Sequence, residues 1–335
     1  MNRVVFAAAH VAAHSHTAVD WENTLRFRHY LWSLGLGVAE AMDTAQRGMG
    51  LDWVGAAELI HRSAKEAASV GGRIACGVGT DQLHAADSVQ TVLDAYREQL
   101  DVVEDVGAQP VLMASRQLAG LAARAEDYHH VYGTLLGQVS RPAILHWLGP
   151  MFDPALSGYW GSTDLDAATA VFLDVVRANA DRVDGVKISL LDADREVALR
   201  RALPAGVRCY TGDDFHYPEL IAGDEHGYSD ALLGVFDPLA AVAARALTAS
   251  SAAEFRQVLD PTVELARHVF EAPTRYYKTG VVFLAWLAGH QDRFVLLEGL
   301  ERARTREHLL RCHELAEQLD LFDDPDLAAA RARTL

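Results

Sequence analysis

The feature that most constrains the fold is an eightfold alternation of short apolar runs with longer amphipathic segments. In segments such as 89–103 and 165–180 the apolar residues recur at helical spacing, whereas the short runs are strand-like. Strands that alternate with helices are typical of consecutive βα units around a parallel sheet. Eight such units predict a (β/α)8 TIM barrel. The predicted strands are 3–7, 37–41, 73–78, 109–113, 142–147, 185–188, 207–210 and 229–233.

The chain is long enough for one barrel and an addition to it. It has 335 residues, and α/β barrels commonly occupy about 250 residues as a single domain. After the eighth run the strand pattern ceases and helical patterns continue. The sequence therefore predicts a barrel over residues 1–238, which carries the active site, and a C-terminal helical extension over residues 239–335. Tyr276, Tyr277 and Lys278 of this extension are expected at a helix-packing or subunit contact.

The charge and the cysteine pattern limit the kinds of partner and of binding site that the chain can have. The net charge of −16 comes from scattered acids without a basic stripe, which argues against nucleic acid and anionic membrane surfaces. The apolar run 281–288 is far shorter than the roughly 20 residues of a membrane span. Three separated cysteines without CxxC spacing suggest neither a disulfide framework nor a zinc cluster. A cytoplasmic protein with a small-molecule partner is expected.

Lys187 is the strongest candidate for chemistry. Lysine occurs three times among 30 basic residues, and Lys187 lies in the apolar strand 183–189. Burial lowers the pKa of a lysine, whereas arginine stays protonated, and a neutral amine can attack a carbonyl to form a Schiff base. Strand alternation turns Lys187 and Ser189 into the barrel, near its catalytic end. A buried ion pair with Glu40 or Asp43 is the structural alternative.

Two motifs resemble the dihydrodipicolinate synthase and N-acetylneuraminate lyase superfamily. They are Gly185-Val186-Lys187-Ile188-Ser189 and, one strand later, Tyr210-Thr211-Gly212-Asp213-Asp214. In that superfamily a G-[IV]-K-[DE]-[SA] strand carries the Schiff-base lysine, and the seventh strand ends in S-G-D-D. The eight units and the helical C-terminal portion agree as well. The resemblance implies an iminium at Lys187 with a 2-oxo acid, Thr211 and Asp213 on the far wall, and no metal or cofactor.

The loop after the second strand departs from the superfamily pattern. There the family carries G-T-T-G-E, which holds the substrate carboxylate, whereas this chain has the longer stretch 42–49. Either Asp43-Thr44 or Gln46-Arg47 corresponds to the threonine pair. Thr44, Gln46 and Arg47 are therefore the candidates for binding the anionic end of the substrate, and the planar fork of an arginine suits a carboxylate or phosphate.

The fifth strand departs as well. The family's Y-N-V-P tyrosine, which relays protons, corresponds to His146 in Leu145-His146-Trp147-Leu148-Gly149-Pro150. An imidazole titrates near neutrality, so His146 is the predicted acid and base. The tyrosine pair after the fourth strand is also missing. The resemblance then implies a class I, Schiff-base-forming aldolase, lyase or dehydratase for a 2-oxo acid or keto-sugar, other than dihydrodipicolinate synthase, and a homo-oligomer, dimer or tetramer.

Two alternatives compete with this interpretation. His14-Ser15-His16 is an H-x-H, and such a pair after the first strand binds zinc in barrel hydrolases. The hydrolase would draw its ligands from His10, His14, His16, His146, His216 and Asp230, with Lys187 as a bridging carbamate. A non-catalytic barrel that binds a small molecule is the second alternative. The altered carboxylate loop fits it, and the retention of Lys187 in a lysine-poor chain argues against it.

Overall fold

The computed structural model describes residues 1–121 and 124–335. Its centre is a closed barrel of parallel strands in the order β1-β10-β9-β8-β7-β6-β5-β4, with β2 and β3 forming a separate antiparallel hairpin. Each barrel strand lies within two residues of its predicted position, so the predicted (β/α)8 barrel is confirmed. The strands are β1 Val5–Ala8, β2 Ala13–Ser15, β3 Ala18–Val19, β4 Gly37–Glu40, β5 Ile74–Val78, β6 Gln109–Leu112, β7 Ala143–Leu148, β8 Val183–Ser189, β9 Arg208–Thr211 and β10 Asp230–Leu233.

Helices connect the barrel strands and then form the C-terminal portion. Several begin at an aspartate or serine whose side chain accepts a hydrogen bond from the first turn, as Asp52 does from the Gly55 amide at 2.8 Å. Among the described helices, none has the length and apolar character that crossing a bilayer requires. The barrel helices are α1 Trp21–Ser33, α2 Trp53–Val70, α3 Val89–Asp105, α4 Arg116–Gly120, α5 Ala125–Leu136, α6 Leu165–Ala178, α7 Ala193–Ala202, α8 Tyr217–Ala222 and α9 Ala240–Leu247. The C-terminal helices are α10 Ala252–Leu259, α11 Val263–Val269, α12 Tyr277–Leu287, α13 Arg306–Gln318 and α14 Pro325–Ala332.

The barrel wall separates two apolar layers. Inward residues such as Phe6, Ile144 and Leu232 form a small inner cluster, while Val186 and Ile188 of β8 pack in the outer layer. The alternation along β8 therefore turns Lys187 inward, as the sequence predicts.

The C-terminal helices do not stand apart from the barrel. Val5 and Leu233 of the barrel share an apolar cluster with Phe283 and Leu287 of α12. Helix α12 is thereby held against the β1 and β10 side of the barrel. The division into domains at residue 238 stays a prediction.

Candidate active site

Lys187 is a buried amine without an ion-pair partner among the described residues. The residue is 8% exposed, and no hydrogen bond reaches its Nζ from the described residues; burial and the more distant Asp214 and Asp43 are what act on it. These carboxylates follow the carboxyl ends of β9 and β4, so the amine lies at the catalytic end of the barrel. Gly212 makes room for the side chain, because a Cβ there would lie 2.8 Å from Lys187 Cε.

Lys187 and Asp214 are an amine and an acid whose charges act on each other. Burial lowers the pKa of Lys187 to about 8, although the Asp214 and Asp43 charges oppose it. Burial raises the pKa of Asp214 to about 7, against the effects of a 2.9 Å hydrogen bond from the Val235 amide and of the Lys187 charge. The pKa values of the two groups therefore lie close together and near neutrality.

His146 stands next to Lys187 in the barrel wall. The two residues are register partners on β7 and β8. His146 Nε2 lies 3.1 Å from Ser189 Oγ, while the buried Nδ1 has no hydrogen-bond partner within the described residues. Burial, and after it the charge of Lys187, holds the pKa of His146 well below its usual range. The imidazole is therefore neutral, with one ring nitrogen free for a ligand.

A cavity of about 590 Å³ opens beside these residues at the mouth of the barrel. Its wall includes His146, the register partner of Lys187, and Asp43, whose charge acts on Lys187, but not Lys187 itself. The remaining wall is mixed in polarity, and its volume is in the range of small-molecule sites. Its polar side chains are Arg47, Thr80, Asp81, His84, Arg116, Gln117 and Asp153, and its larger apolar ones are Leu83, Met113, Leu148 and Leu156.

Two of the three residues predicted to bind the anionic end of the substrate instead form hydrogen bonds that hold the loop after β4 in place. Both ends of the Gln46 amide bond the backbone of Leu297 at 3.2 Å. The Arg47 guanidinium binds both carboxylate oxygens of Asp81, at 2.7 and 3.1 Å, and a carbonyl of the barrel wall. Arg47 lines the cavity with its charge already paired, whereas the buried Thr44 hydroxyl lies 2.8 Å from Tyr277 OH.

The loop after β9 distinguishes two adjacent acids. Asp213 accepts hydrogen bonds from the amides of Phe215 and His216, at 2.8 and 3.0 Å, and so shapes its own loop. Thr211 donates to Glu196 of α7 at 3.0 Å, on the outside of the barrel. Thr211 and Asp213 thus form their hydrogen bonds with groups other than the amine. Asp214, which the sequence motif contains but does not single out, is the acid of this loop whose charge acts on Lys187.

The histidines of the alternative zinc site are not brought together. His14 is exposed, and His16 is exposed and bonds Glu301 at 2.9 Å. His10 is buried against Asp237 at 2.7 Å. Asp230 begins β10 at the opposite end of the barrel, where it accepts from the Val4 amide. The metal-capable triplet found in the described residues lies elsewhere, on α11 and α13: His268, His308 and Cys312.

Glu40 and Asp43, the acids that would pair with Lys187 in the alternative interpretation, each form an ion pair with another residue. Glu40 binds Arg28 of α1 at 2.8 Å, with both side chains fully buried. Asp43 binds Lys278 of α12 at 2.9 Å. Neither acid makes a contact pair with Lys187.

Helix α12 sends two side chains to the mouth of the barrel. Tyr277 OH lies 2.8 Å from Thr44 Oγ1, and Lys278 Nζ bonds the Asp43 carboxylate. The sequence predicts a packing role for both residues, and Tyr277 does stack on Phe270, with ring centroids 4.3 Å apart. Their polar ends belong to the site as well, which no periodicity in the sequence indicates.

The protein is a TIM barrel of a defined class. It has a closed (β/α)8 barrel, a buried lysine on the sixth barrel strand and a helical C-terminal portion. Within that class, the chain belongs to the family described as "Protein of unknown function (DUF993)", whose model matches residues 1–335. No curated protein sequence matches the chain.

Solved structures share this architecture. Dihydrodipicolinate synthase from Aquifex aeolicus superposes with a TM-score of 0.73 at 13% identity, covering 96% of this chain and 100% of that one. YagE, a prophage protein of the dihydrodipicolinic acid synthase family from E. coli K12, solved in complex with pyruvate, gives 0.74 at 12% identity, covering 96% and 99%. A putative dihydrodipicolinate synthetase from Pseudomonas aeruginosa gives 0.71 at 16% identity, covering 95% and 100%. The predicted resemblance is confirmed at the level of the fold.

Proposed function

We propose that the protein is a Schiff-base-forming lyase or aldolase that acts on a 2-oxo acid or a related keto compound. The observation that carries the proposal is Lys187, a buried amine with a pKa of about 8 and, among the described residues, no ion-pair partner. Such an amine is partly neutral at physiological pH and is therefore a nucleophile. The structural relatives support the carbonyl class, because one of them is described in complex with pyruvate.

The neighbouring groups suit imine chemistry. Lys187 Nζ attacks the carbonyl carbon, and Asp214, with its pKa of about 7, takes the proton that the amine loses. The iminium then draws electrons from the adjacent carbon–carbon or carbon–hydrogen bond. Neutral His146 offers its free Nδ1 to the substrate as a hydrogen-bonding base, and its Nε2 is fixed by Ser189.

The cavity supports a substrate longer than pyruvate. Its volume of about 590 Å³ exceeds what a three-carbon acid fills. Because Arg47 and Arg116 are paired with Asp81 and Asp153, the wall offers hydrogen bonds with little net charge. A hydroxylated keto compound fits this wall, and the departures in the loop after β4 favour a reaction other than dihydrodipicolinate synthesis. As in the superfamily, we expect a homo-oligomer.

Borohydride trapping tests the proposal. The protein is incubated with pyruvate or with a panel of 2-oxo acids and keto-sugars, reduced with sodium borohydride, and weighed as the intact chain. We expect a mass increment in the wild type and in Lys65→Met, the control at an exposed lysine of α2, and no increment in Lys187→Ala.

Two results would contradict the proposal. An adduct of equal yield in Lys187→Ala would move the chemistry to another amine. No adduct from any carbonyl, together with stoichiometric bound zinc, would favour the metal-dependent hydrolase instead.

A further inference from the structure

We propose that Tyr277, supplied by the C-terminal helix α12, is the catalytic residue that gives and takes protons at the carbonyl oxygen and the neighbouring carbon of the substrate. The inference deepens the proposed function and rests on imine formation at Lys187. It gives the C-terminal portion a part in the chemistry, in addition to its packing against the barrel.

The ring of Tyr277 is fixed from several sides. It stacks on Phe270 at 4.3 Å with an interplanar angle of 15°, and it meets Phe152 edge to face at 6.4 Å. Gly234, just after β10, admits the ring, because a Cβ there would lie 3.3 Å from both Tyr277 Cε2 and Thr44 Oγ1. A ring held this way presents its hydroxyl in one direction.

That direction is toward the groups around the amine. The hydroxyl lies 2.8 Å from Thr44 Oγ1. The two carboxylates that act on Tyr277, Asp43 and Asp214, are the same two that act on Lys187. The phenol and the amine therefore face one shared set of acids at the mouth of the barrel. Burial, and after it the charge of Asp43, raises the pKa of Tyr277 well above its usual range, so the hydroxyl carries its proton.

The other polar groups nearby are less suited to donating a proton. His146 is neutral, because burial lowers its pKa. Asp43 is held by Lys278, and Asp214 serves the amine. Tyr277 is the protonated acid that remains in this set, and a tyrosine is a recognised general acid and base.

The proton inventory balances with Tyr277 in this role. Lys187 attacks the carbonyl carbon, the phenol protonates the carbonyl oxygen, and Asp214 takes the proton that the nitrogen loses and returns it to the phenolate. The carbinolamine hydroxyl then leaves as water with the phenol proton, which gives the iminium and a phenolate. The phenolate removes one proton from the adjacent carbon and forms the enamine. Amine and ketone have become enamine and water, and Tyr277 is again a phenol.

Exchange of the pyruvate methyl protons in D₂O, followed by proton NMR, measures the last step without the natural co-substrate. Tyr277→Phe keeps the stacked ring and removes the hydroxyl. We expect exchange to slow at least about 100-fold, as for the loss of a general acid or base. Tyr276→Phe is the matched control, since that hydroxyl bonds Arg275 at 2.9 Å on the exposed side, and its rate should stay within about twofold of the wild type.

The outcomes separate this inference from the proposed function. Exchange and a Lys187 adduct in the wild type, with unchanged exchange in Tyr277→Phe, overturn the role of Tyr277 alone. Neither exchange nor adduct in the wild type, with pyruvate or the panel, overturns both. Circular dichroism checks that Tyr277→Phe is folded. If it is not, Thr44→Val keeps the phenol and frees its direction, and a wild-type exchange rate in that variant overturns the inference.

Discussion

Two buried lysines of this chain have opposite surroundings. Lys278 is 1% exposed, and its Nζ bonds the Asp43 carboxylate at 2.9 Å, the Arg275 carbonyl at 3.1 Å and Met49 Sδ at 3.5 Å. Lys187 is 8% exposed, and its nearest carboxylates act only through space.

The difference shows what makes a buried amine reactive. Burial disfavours the ammonium ion, and a carboxylate in contact compensates for that cost. Lys278 has this compensation and serves as an ionic anchor between α12 and the loop after β4. The burial cost of Lys187 is compensated only in part, by carboxylates that do not contact it, so its pKa falls to about 8. Burial without such a contact distinguishes Lys187, the proposed nucleophile, from the anchor.

Among the predicted changes, filling the space beside Lys187 should have the largest effect on the reactivity that distinguishes it from Lys278. A Cβ at Gly212 would lie 2.8 Å from Lys187 Cε and 2.2 Å from Ser189 Oγ, so Gly212→Ala must displace the amine. We expect the rate of borohydride-trapped adduct formation to fall about 100-fold, as for misplacement of a reacting group by about 1 Å.

Gly133→Ala is the matched control for Gly212→Ala. Gly133 lies in α5, and the nearest atom to its added Cβ is 4.0 Å away, so this variant should trap at the wild-type rate. Full trapping in Gly212→Ala would show that the lysine is not held where the structure places it.

Removing Asp214 should change the pH at which Lys187 reacts. Only the neutral amine attacks, so the wild-type trapping rate should rise with pH through about 8, the pKa of Lys187. The Asp214 charge raises that pKa. Asp214→Asn should therefore move the midpoint to lower pH, and the maximal rate should fall because the proton acceptor is lost. A midpoint that stays in place or rises would show that Asp214 does not act on the amine.

The barrel could be predicted from sequence because each strand is buried on both faces. Strands of this kind read as continuous apolar runs, as in Val5–Ala8. The hairpin of β2 and β3 escaped this reasoning, since its strands are three and two residues long and largely exposed. No burial pattern marks such a segment.

The site could be predicted only in part. Lys187 stands out because its residue type is rare and lies inside an apolar strand. Asp213 and Asp214 are neighbours of the same type, and the geometry of one loop decides which faces the amine. Tyr277 and Thr44 are 233 positions apart, and their meeting depends on how α12 packs on the barrel. Neither composition nor periodicity contains that information.

The smallest expected effects are on the free energy of unfolding. Substitution should lower it at Lys278 and raise it at Lys187. Lys278→Met leaves the Asp43 carboxylate without its partner and should lower the free energy of unfolding by about 1 to 3 kcal/mol. Lys187→Met combined with Asp214→Asn removes two poorly compensated buried charges and should raise it by about 1 to 4 kcal/mol.

The pH dependence of the stability gain in this double variant shows whether the gain comes from removing buried charge. Asp214 titrates near 7 in the folded protein, above its ordinary 3.8, so the folded state binds the extra proton and wild-type stability falls as pH rises between these values. Lys187 titrates near 8, below its ordinary 10.5, so the unfolded state binds the extra proton there and stability rises again. Denaturant unfolding of both proteins at pH 5, 7.5 and 10 should therefore show the largest gain of the double variant near pH 7.5. An equal gain at all three values would mean that packing, rather than buried charge, separates the two lysines.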